Sequence, residues 1–433
     1  MPRRIDELEL EVLSARDTGL PARAAGLTVR EFLATEPRLG EFWTPLTVLD
    51  ESALRHNATT IQAWAGAHGM ELMPHGKTTM APALWQLQLD AGATGLTLAT
   101  PGQVRTARSF GVDSIMLANA LVAPQAIAFI TGELADADFA FTSWVDSIET
   151  VQGMEHGIAT AGLPLPRPID VLVELGAPGG RTGARSLDAA REVARRVESS
   201  PVLRLAGVAG YEGSLGHDRS SPALRAVRDY LGDLLRLLAD LGDIAGDDRT
   251  LMLTAGGSAY LDLVADALGP AIERDAASGR PSRWVLRSGA SLLHDEGFYR
   301  GISPLDASRG AAAEATLVPA MRGYARVVSH PEPGLALLDG GKRDFPYDEG
   351  LPSPLGAATG LGCAERPLDG AAVTALNDQH AFLRSEAPLP VALGDVVSLG
   401  LSHPCTAFDK RRWLPVVEHR GSDRVTGLVR TYF

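Results

Sequence analysis

Met73-Pro74-His75-Gly76-Lys77-Thr78-Thr79 lies between a short apolar run, 70–73, and a helical pattern that begins near Ala81. That places Lys77 at a strand-to-helix corner, where a side chain can point into a cleft. A lysine amine becomes nucleophilic once burial or a nearby cation lowers its pKa, so lysine is the residue that forms Schiff bases. A loop lysine taken alone is usually just solvated. The segments around this one decide between the two readings.

Outward from this corner the chain keeps a regular beat. Apolar runs at 71–73, 95–98, 114–117, 139–142, 170–174, 205–208, 251–253 and 284–286 alternate with helical patterns at 103–110, 124–131, 147–161, 187–198, 222–239 and 259–266. An earlier extended segment, 44–50, leads into a helix with Ser52 as its expected N-cap. Strand and helix alternating at this spacing argue for βα units and a parallel sheet. About eight units is the count of a closed (β/α)8 barrel, with an open doubly wound sheet as the structural alternative. The Ser/Ala/Gly-rich stretch 301–315 breaks the beat. Beyond it, 317–329, 335–339, 373–376, 395–402 and 414–418 read as strands with no long helices, and 345–362 reads as a Pro/Gly-rich loop. The expected division is a helical extension over 1–42, an α/β barrel over 43–305 and an all-β domain over 306–433. The extension offers no chemistry, and its expected role is packing.

Composition sets limits on the rest. The chain has 433 residues, 45% of them hydrophobic, so a large core is possible. Forty Lys and Arg against 53 Asp and Glu give a net charge of -13 and no basic block, which disfavours nucleic acid and anionic membrane as partners. With 2 cysteines, Cys363 and Cys405, no disulfide framework is implied. The first residues lack the apolar core of a signal peptide, and no apolar run is long enough for a bilayer, so a cytoplasmic location is expected.

In such a barrel the working face is where strands end and helices begin. Four glycine-rich corners stand there besides Lys77: Gly179-Gly180-Arg181-Thr182-Gly183, Gly210-Tyr211-Glu212-Gly213-Ser214, Thr254-Ala255-Gly256-Gly257-Ser258 and Arg287-Ser288-Gly289-Ala290-Ser291. The last two can aim N–H groups at a phosphate. Each alone is more often a tight turn. A lysine, two phosphate corners and an arginine–tyrosine pair on one face describe a pyridoxal phosphate site. In the tail, Ser402-His403-Pro404-Cys405 in extended form would put an imidazole and a thiolate on the same side, a soft N/S pair that suits zinc. A buried cysteine beside an incidental histidine is the plainer reading of that motif alone. Asn377-Asp378-Gln379-His380 is a second polar cluster, or simply an exposed turn.

These residues carry a resemblance. Pro74-His75-Gly76-Lys77-Thr78, Gly180-Arg181-Thr182-Gly183, Tyr211-Glu212-Gly213, Gly256-Gly257-Ser258, Leu338-Asp339-Gly340-Gly341, Gln379-His380 and Ser402-His403-Pro404-Cys405 are similar to motifs of the D-serine dehydratase and D-threonine aldolase group, whose barrel resembles that of alanine racemase. The likeness runs from about Thr44 to the end and leaves out 1–42. It implies that Lys77 carries pyridoxal 5'-phosphate covalently, that Arg181 lies by the ring and that Tyr211 approaches the pyridine nitrogen. Gly256, Gly257, Ser258, Ser288 and Gly289 would line the phosphate. His403 and Cys405 would hold a divalent metal, Zn2+ or Mn2+, that meets the substrate. It also implies a homodimer in which one subunit's β domain closes the other's barrel mouth. The expected activity is a lyase on a D-β-hydroxy amino acid, with Lys77 as base. Cysteine at the second metal position leans toward dehydration to a 2-oxo acid and ammonia, whereas aspartate there would lean toward aldol cleavage to glycine and an aldehyde. The alternatives are a non-catalytic pyridoxal phosphate carrier and a racemase. His380 is a guess for the general acid. The charged segment 406–412 and the N-terminal extension depart from the pattern and leave the substrate open.

Overall fold

A computed structural model describes residues 4–246, 249–278, 282–312 and 315–433. The strands in chain order are β1 (Leu46–Asp50), β2 (Glu71–Leu72), β3 (Leu96–Leu98), β4 (Ser114–Ala120), β5 (Ala140–Val145), β6 (Ile169–Leu175), β7 (Leu203–Gly210), β8 (Met252–Ala255) and β9 (Arg283–Leu286). The tail adds β10 (Met321–Glu332), β11 (Leu335–Leu338), β12 (Ser353–Ala358), β13 (Ala372–Leu376), β14 (Ala381–Arg384), β15 (Val396–Gly400), β16 (Trp413–Val417) and β17 (Val425–Arg430).

Strands β2 to β9 form one parallel sheet in the order β2-β9-β8-β7-β6-β5-β4-β3. The seam between β2 and β3 is joined by a parallel bridge from His75 to Thr97 and by the Thr94 and Thr97 N–H groups, which donate to Leu72 O and Pro74 O. The sheet is thus a TIM-type barrel, and the open alternative is set aside. Its strands are apolar without alternation because both faces are covered: β6 has only one residue short of full burial, Asp170. Met73, Met116, Trp144, Leu172, Ala209, Met252 and Val285 form a separate buried cluster, one residue from around β2 and one from each of β4 to β9, which fills the barrel interior. The helices outside follow the amphipathic rule. Leu187–Glu198 buries Ala190, Val193, Ala194 and Val197, one stripe at i, i+3, i+4 and i+7, and Ser186 caps its start.

The first extended segment is placed differently from expectation. β1 runs antiparallel to β10 and parallel to β16, inside the second sheet and not in the barrel. The 43–305 boundary therefore cuts off a strand that works with the tail. A fully buried run such as Leu46–Leu49 carries no periodic signal for which sheet it joins. The helix after it is capped by Asp50, whose carboxylate accepts the Ala53 N–H at 2.9 Å, not by Ser52. The expected loop 345–362 contains strand β12, which pairs with β15, bridges Arg366 at Ala357 and is irregular between Pro354 and Gly356. A proline is tolerated in a strand with one free edge, and that disguised it. β14 and β17 were also absent from the sequence reading.

The extension packs as expected, residues 1–3 lying outside the described set. Its helix Val29–Ala34 is closed by a capping box between Thr28 and Glu31. Leu13, Val29, Phe32 and Phe42 pack on Val48, Val396, Trp413 and Val425 of the second sheet. Of the break at 301–315, residues 313–314 lie outside the described set. Among the described residues, no helix is long and apolar enough to cross a membrane.

Candidate active site

The Lys77 corner is held by its main chain. The turn Gly76–Thr78 follows β2 directly. His75 N–H donates to Arg287 O at 3.2 Å, Thr97 Oγ1 to Met73 O at 2.6 Å, and the buried Trp85 Nε1 to Gly76 O at 2.9 Å. Gly289 must be small, because a Cβ there would sit 2.6 Å from His75 Cβ and 2.7 Å from His75 O. These contacts point Lys77 into a cavity of about 440 Å3 at the C-terminal mouth of the barrel.

The cavity is electropositive although the chain is acidic. Lys77, Arg181 and Arg287 line it, and none of its lining residues is Asp or Glu. Burial holds the Lys77 amine below its ordinary value; Cys405 opposes this, and Arg181 and Arg287 add to it. Burial, then the charges of Lys77, Arg287 and Arg181, push His75 well below the usual imidazole range. Its buried Nδ1 has no hydrogen-bond partner. Arg287 is almost wholly buried, donates to Thr254 Oγ1 at 2.6 Å and to Gly210 O, and lies 4.9 Å from the Trp144 ring.

The tail supplies the opposite wall from the same chain. Cys405 Sγ lies 3.4 Å from Thr78 Oγ1, one residue from Lys77. His403 and Cys405 are not in an extended segment as expected. His403 takes a left-handed φ of 53° and Pro404–Thr406 form a tight turn, since proline favours the start of one. The two donor groups still converge, now through the turn. The hydrogen bond with Cys405 lifts His403 to about 9, with burial opposing and Asp348 helping. Burial pushes the Cys405 thiol up, but His403, Thr78 and the Lys77 charge overcome it, and the thiol ends lowered. Asp348 Oδ2 sits 2.5 Å from His403 Nδ1, and the buried Asp295 accepts the His403 N–H at 3.0 Å.

The remaining corners divide. Arg181 lies 5.3 Å over the Tyr211 ring, and both line the cavity. Arg185 braces that loop by donating to the carbonyls of Ala177, Gly180, Arg181 and Thr182. Burial, with Glu212 adding, pushes the Tyr211 phenol up to about 12. Gly257, Ser258 and Gly289 line the cavity, whereas Gly256 and Ser288 lie behind it. The N–H groups of Gly256 and Gly257 are not open to a ligand: the buried Glu212 carboxylate accepts both, at 2.9 and 2.7 Å. This corrects the reading of that glycine pair as N–H donors. Ser288 acts through Ser258, their hydroxyls 2.7 Å apart. His380 is exposed in the turn between β13 and β14 and is not among the cavity residues.

Sequence reasoning missed Trp144, Asn119 and Tyr299 as lining residues, and Glu212 and Asp348 as supports. Tyr299 stands on the short helix Phe298–Ile302, not at a strand end, and Asp348 sits in an irregular loop, so neither had a positional signal. Glu212 was visible beside Tyr211, but only the fold shows what it accepts.

Residues 320–417 match the family described as putative serine dehydratase domain. The chain is 27% identical over 379 residues to D-threonine aldolase of Arthrobacter sp, covering 86% of this chain and 89% of that one. It is 27% identical over 190 residues to D-threo-3-hydroxyaspartate dehydratase of Delftia sp. (strain HT23), covering 43% and 48%. The crystal structure of D-threonine aldolase from Filomicrobium marinum superposes with a TM-score of 0.74 at 22% identity, over 92% of this chain and 97% of that one. The chain is thus similar in sequence to D-threonine aldolase and D-threo-3-hydroxyaspartate dehydratase, and it shares its fold with the Filomicrobium aldolase and with an alanine racemase-like protein.

Proposed function

We propose that the protein is a pyridoxal phosphate- and metal-dependent lyase acting on D-β-hydroxy amino acids, and that dehydration to a 2-oxo acid and ammonia is its main outcome. One observation carries this: Lys77 from the barrel and His403 with Cys405 from the tail face one cavity, with Thr78 touching Cys405. A pyridoxal phosphate carrier would have no use for the second pair, and a racemase no use for a metal.

The residues fit both groups. A lowered lysine amine, a cavity lined with cations and free of carboxylates, and the Ser258 hydroxyl beside Gly257 and Gly289 suit a phosphorylated aldehyde. An imidazole and a lowered thiol that already meet suit a soft divalent ion such as zinc. Asp348 on His403 Nδ1 is the carboxylate that commonly fixes a metal-binding histidine. Among the described residues no set of three or more such side chains converges, so the pair falls one short of the three protein ligands usual at a catalytic zinc. When bound, the cofactor supplies an electron sink for the Cα electrons and the metal a Lewis acid for the β-hydroxyl.

The chain's own groups do the rest. Lys77 Nζ would take the Cα proton, and its lowered pKa suits a base. Arg181 and Tyr211 would hold one face of the site, Ser258 would anchor the phosphate, and His75 stays neutral beside them. The aldolase outcome is the second reading, favoured by the relative from Arthrobacter. A homodimer in a cytoplasmic setting completes the proposal, though the metal pair reaches its own barrel without a partner. Purified protein given D-serine and D-threonine tests the reading: pyruvate and 2-oxobutyrate are expected, stopped by EDTA and restored by zinc or manganese. Glycine as the main product would replace it with the aldolase, and turnover indifferent to chelator would end it.

A further inference from the structure

A second cavity, of about 350 Å3, opens on the β domain and shares no lining residue with the first. Its floor is apolar: Val48, Leu361, Val396 and Val417, with Leu39 from the N-terminal segment. Its rim carries both signs of charge, Arg322 and Arg420 against Asp50 and Glu365. Asp50 is engaged by the Ala53 N–H and the Ser52 hydroxyl, whereas the arginines are loosely paired with their carboxylates. Arg322 is 3.5 Å from Glu296 and 3.6 Å from Glu365, and Arg420 is 3.7 Å from Glu296. Direct bonds between such groups run nearer 2.7–2.9 Å, roughly, so hydrogen-bonding capacity is left over on both sides.

A simple anion here would face the carboxylates of Asp50 and Glu365, and a simple cation two guanidiniums. A ligand with both charges at one end and an apolar body at the other matches rim and floor together. The volume lies near the lower end of small-molecule pockets, about 300–1,000 Å3. We infer that this cavity binds a free zwitterionic amino acid with an apolar side chain, its carboxylate on Arg322 and Arg420 and its ammonium toward Glu365, and that occupancy is felt at the first cavity. The link is short. Glu296, which both arginines approach, adjoins Asp295, whose carboxylate accepts the N–H of His403 and of Tyr299.

The test is calorimetric titration with L- and D-leucine, against 4-methylpentanoate and 3-methylbutylamine as one-headed analogues. The protein is used as purified and after borohydride reduction, which blocks a lysine-bound carbonyl cofactor. At least one leucine enantiomer is expected to bind saturably and about tenfold or more tighter than either analogue, before and after reduction. Arg420→Ala, at an exposed rim position, is expected to weaken it several-fold without unfolding the protein. Amide exchange over 401–405 is expected to change on binding. No saturable heat, equal binding of an analogue, loss of binding after reduction or an unaffected Arg420→Ala would overturn the site. Unchanged exchange over 401–405 would overturn the link.

Discussion

The two walls of the main cavity are built in different ways. The Lys77 wall is main-chain work: a barrel strand, a bridge across the seam and an indole bonding the turn's carbonyl. The His403 wall is side-chain work: a left-handed residue and a proline turn held by two carboxylates, Asp295 and Asp348. The first kind of support depends on side-chain identity at few points: the Trp85 indole, the Thr97 hydroxyl and the tight Gly289. The second rests on the two carboxylates that hold His403. Schiff-base chemistry demands a fixed amine, whereas an open metal site tolerates an adjustable donor.

Substitutions that strike each wall should separate the two. Lys77→Ala should cost the most, about three orders of magnitude or more in turnover, with loss of the visible absorbance of the lysine-bound cofactor. Retained absorbance in that variant would break the assignment outright. Cys405→Ala should leave that absorbance intact but lower metal content and turnover together, by roughly a hundredfold or more, read by metal analysis and product assay. Asp348→Ala should weaken metal affinity by about 10–100-fold, measured by chelator competition, again with absorbance unchanged. If it leaves metal affinity alone, the second wall does not depend on carboxylates as argued.

Gly289→Ala presses on the first wall instead. The new methyl would meet His75 backbone and Cβ, so about 1–3 kcal/mol of stability should go, seen as an earlier urea midpoint. The smallest effect concerns Glu174, buried beneath the Arg181 loop, where it accepts from Thr182 Oγ1 at 2.8 Å. Burial raises its pKa, with Thr182 opposing and Asp146 adding. A carboxyl whose folded value is raised binds more protons folded than unfolded. Its contribution is therefore fully present below the unfolded value and is lost as pH rises through the folded one. Glu174→Gln should flatten that fall, so urea midpoints at about pH 5 and about pH 7 should differ less in the variant than in the parent.

Much of this was legible along the chain. The eight barrel strands were, since each is an apolar run bounded by helical periodicity. Lys77, Arg181 and Tyr211 were, because strand ends of a barrel share one face. The roles of Gly256 and Gly257 were not, because a sequence shows that two N–H groups exist but not that Glu212 takes them. Strand β12 was hidden by Pro354, and β1 by a burial too complete to name its sheet.

What the sequence determined by itself is the local part: the period of each element, the corners, and which residue types stand at them. Those follow from backbone geometry and side-chain chemistry over a few neighbours. Only the tertiary structure decided that β1 leaves the barrel for the tail's sheet and that Cys405 comes to rest 3.4 Å from Thr78, 327 positions away in the chain. Contacts at that separation depend on how two cores pack against each other, and no short stretch of residues carries that information.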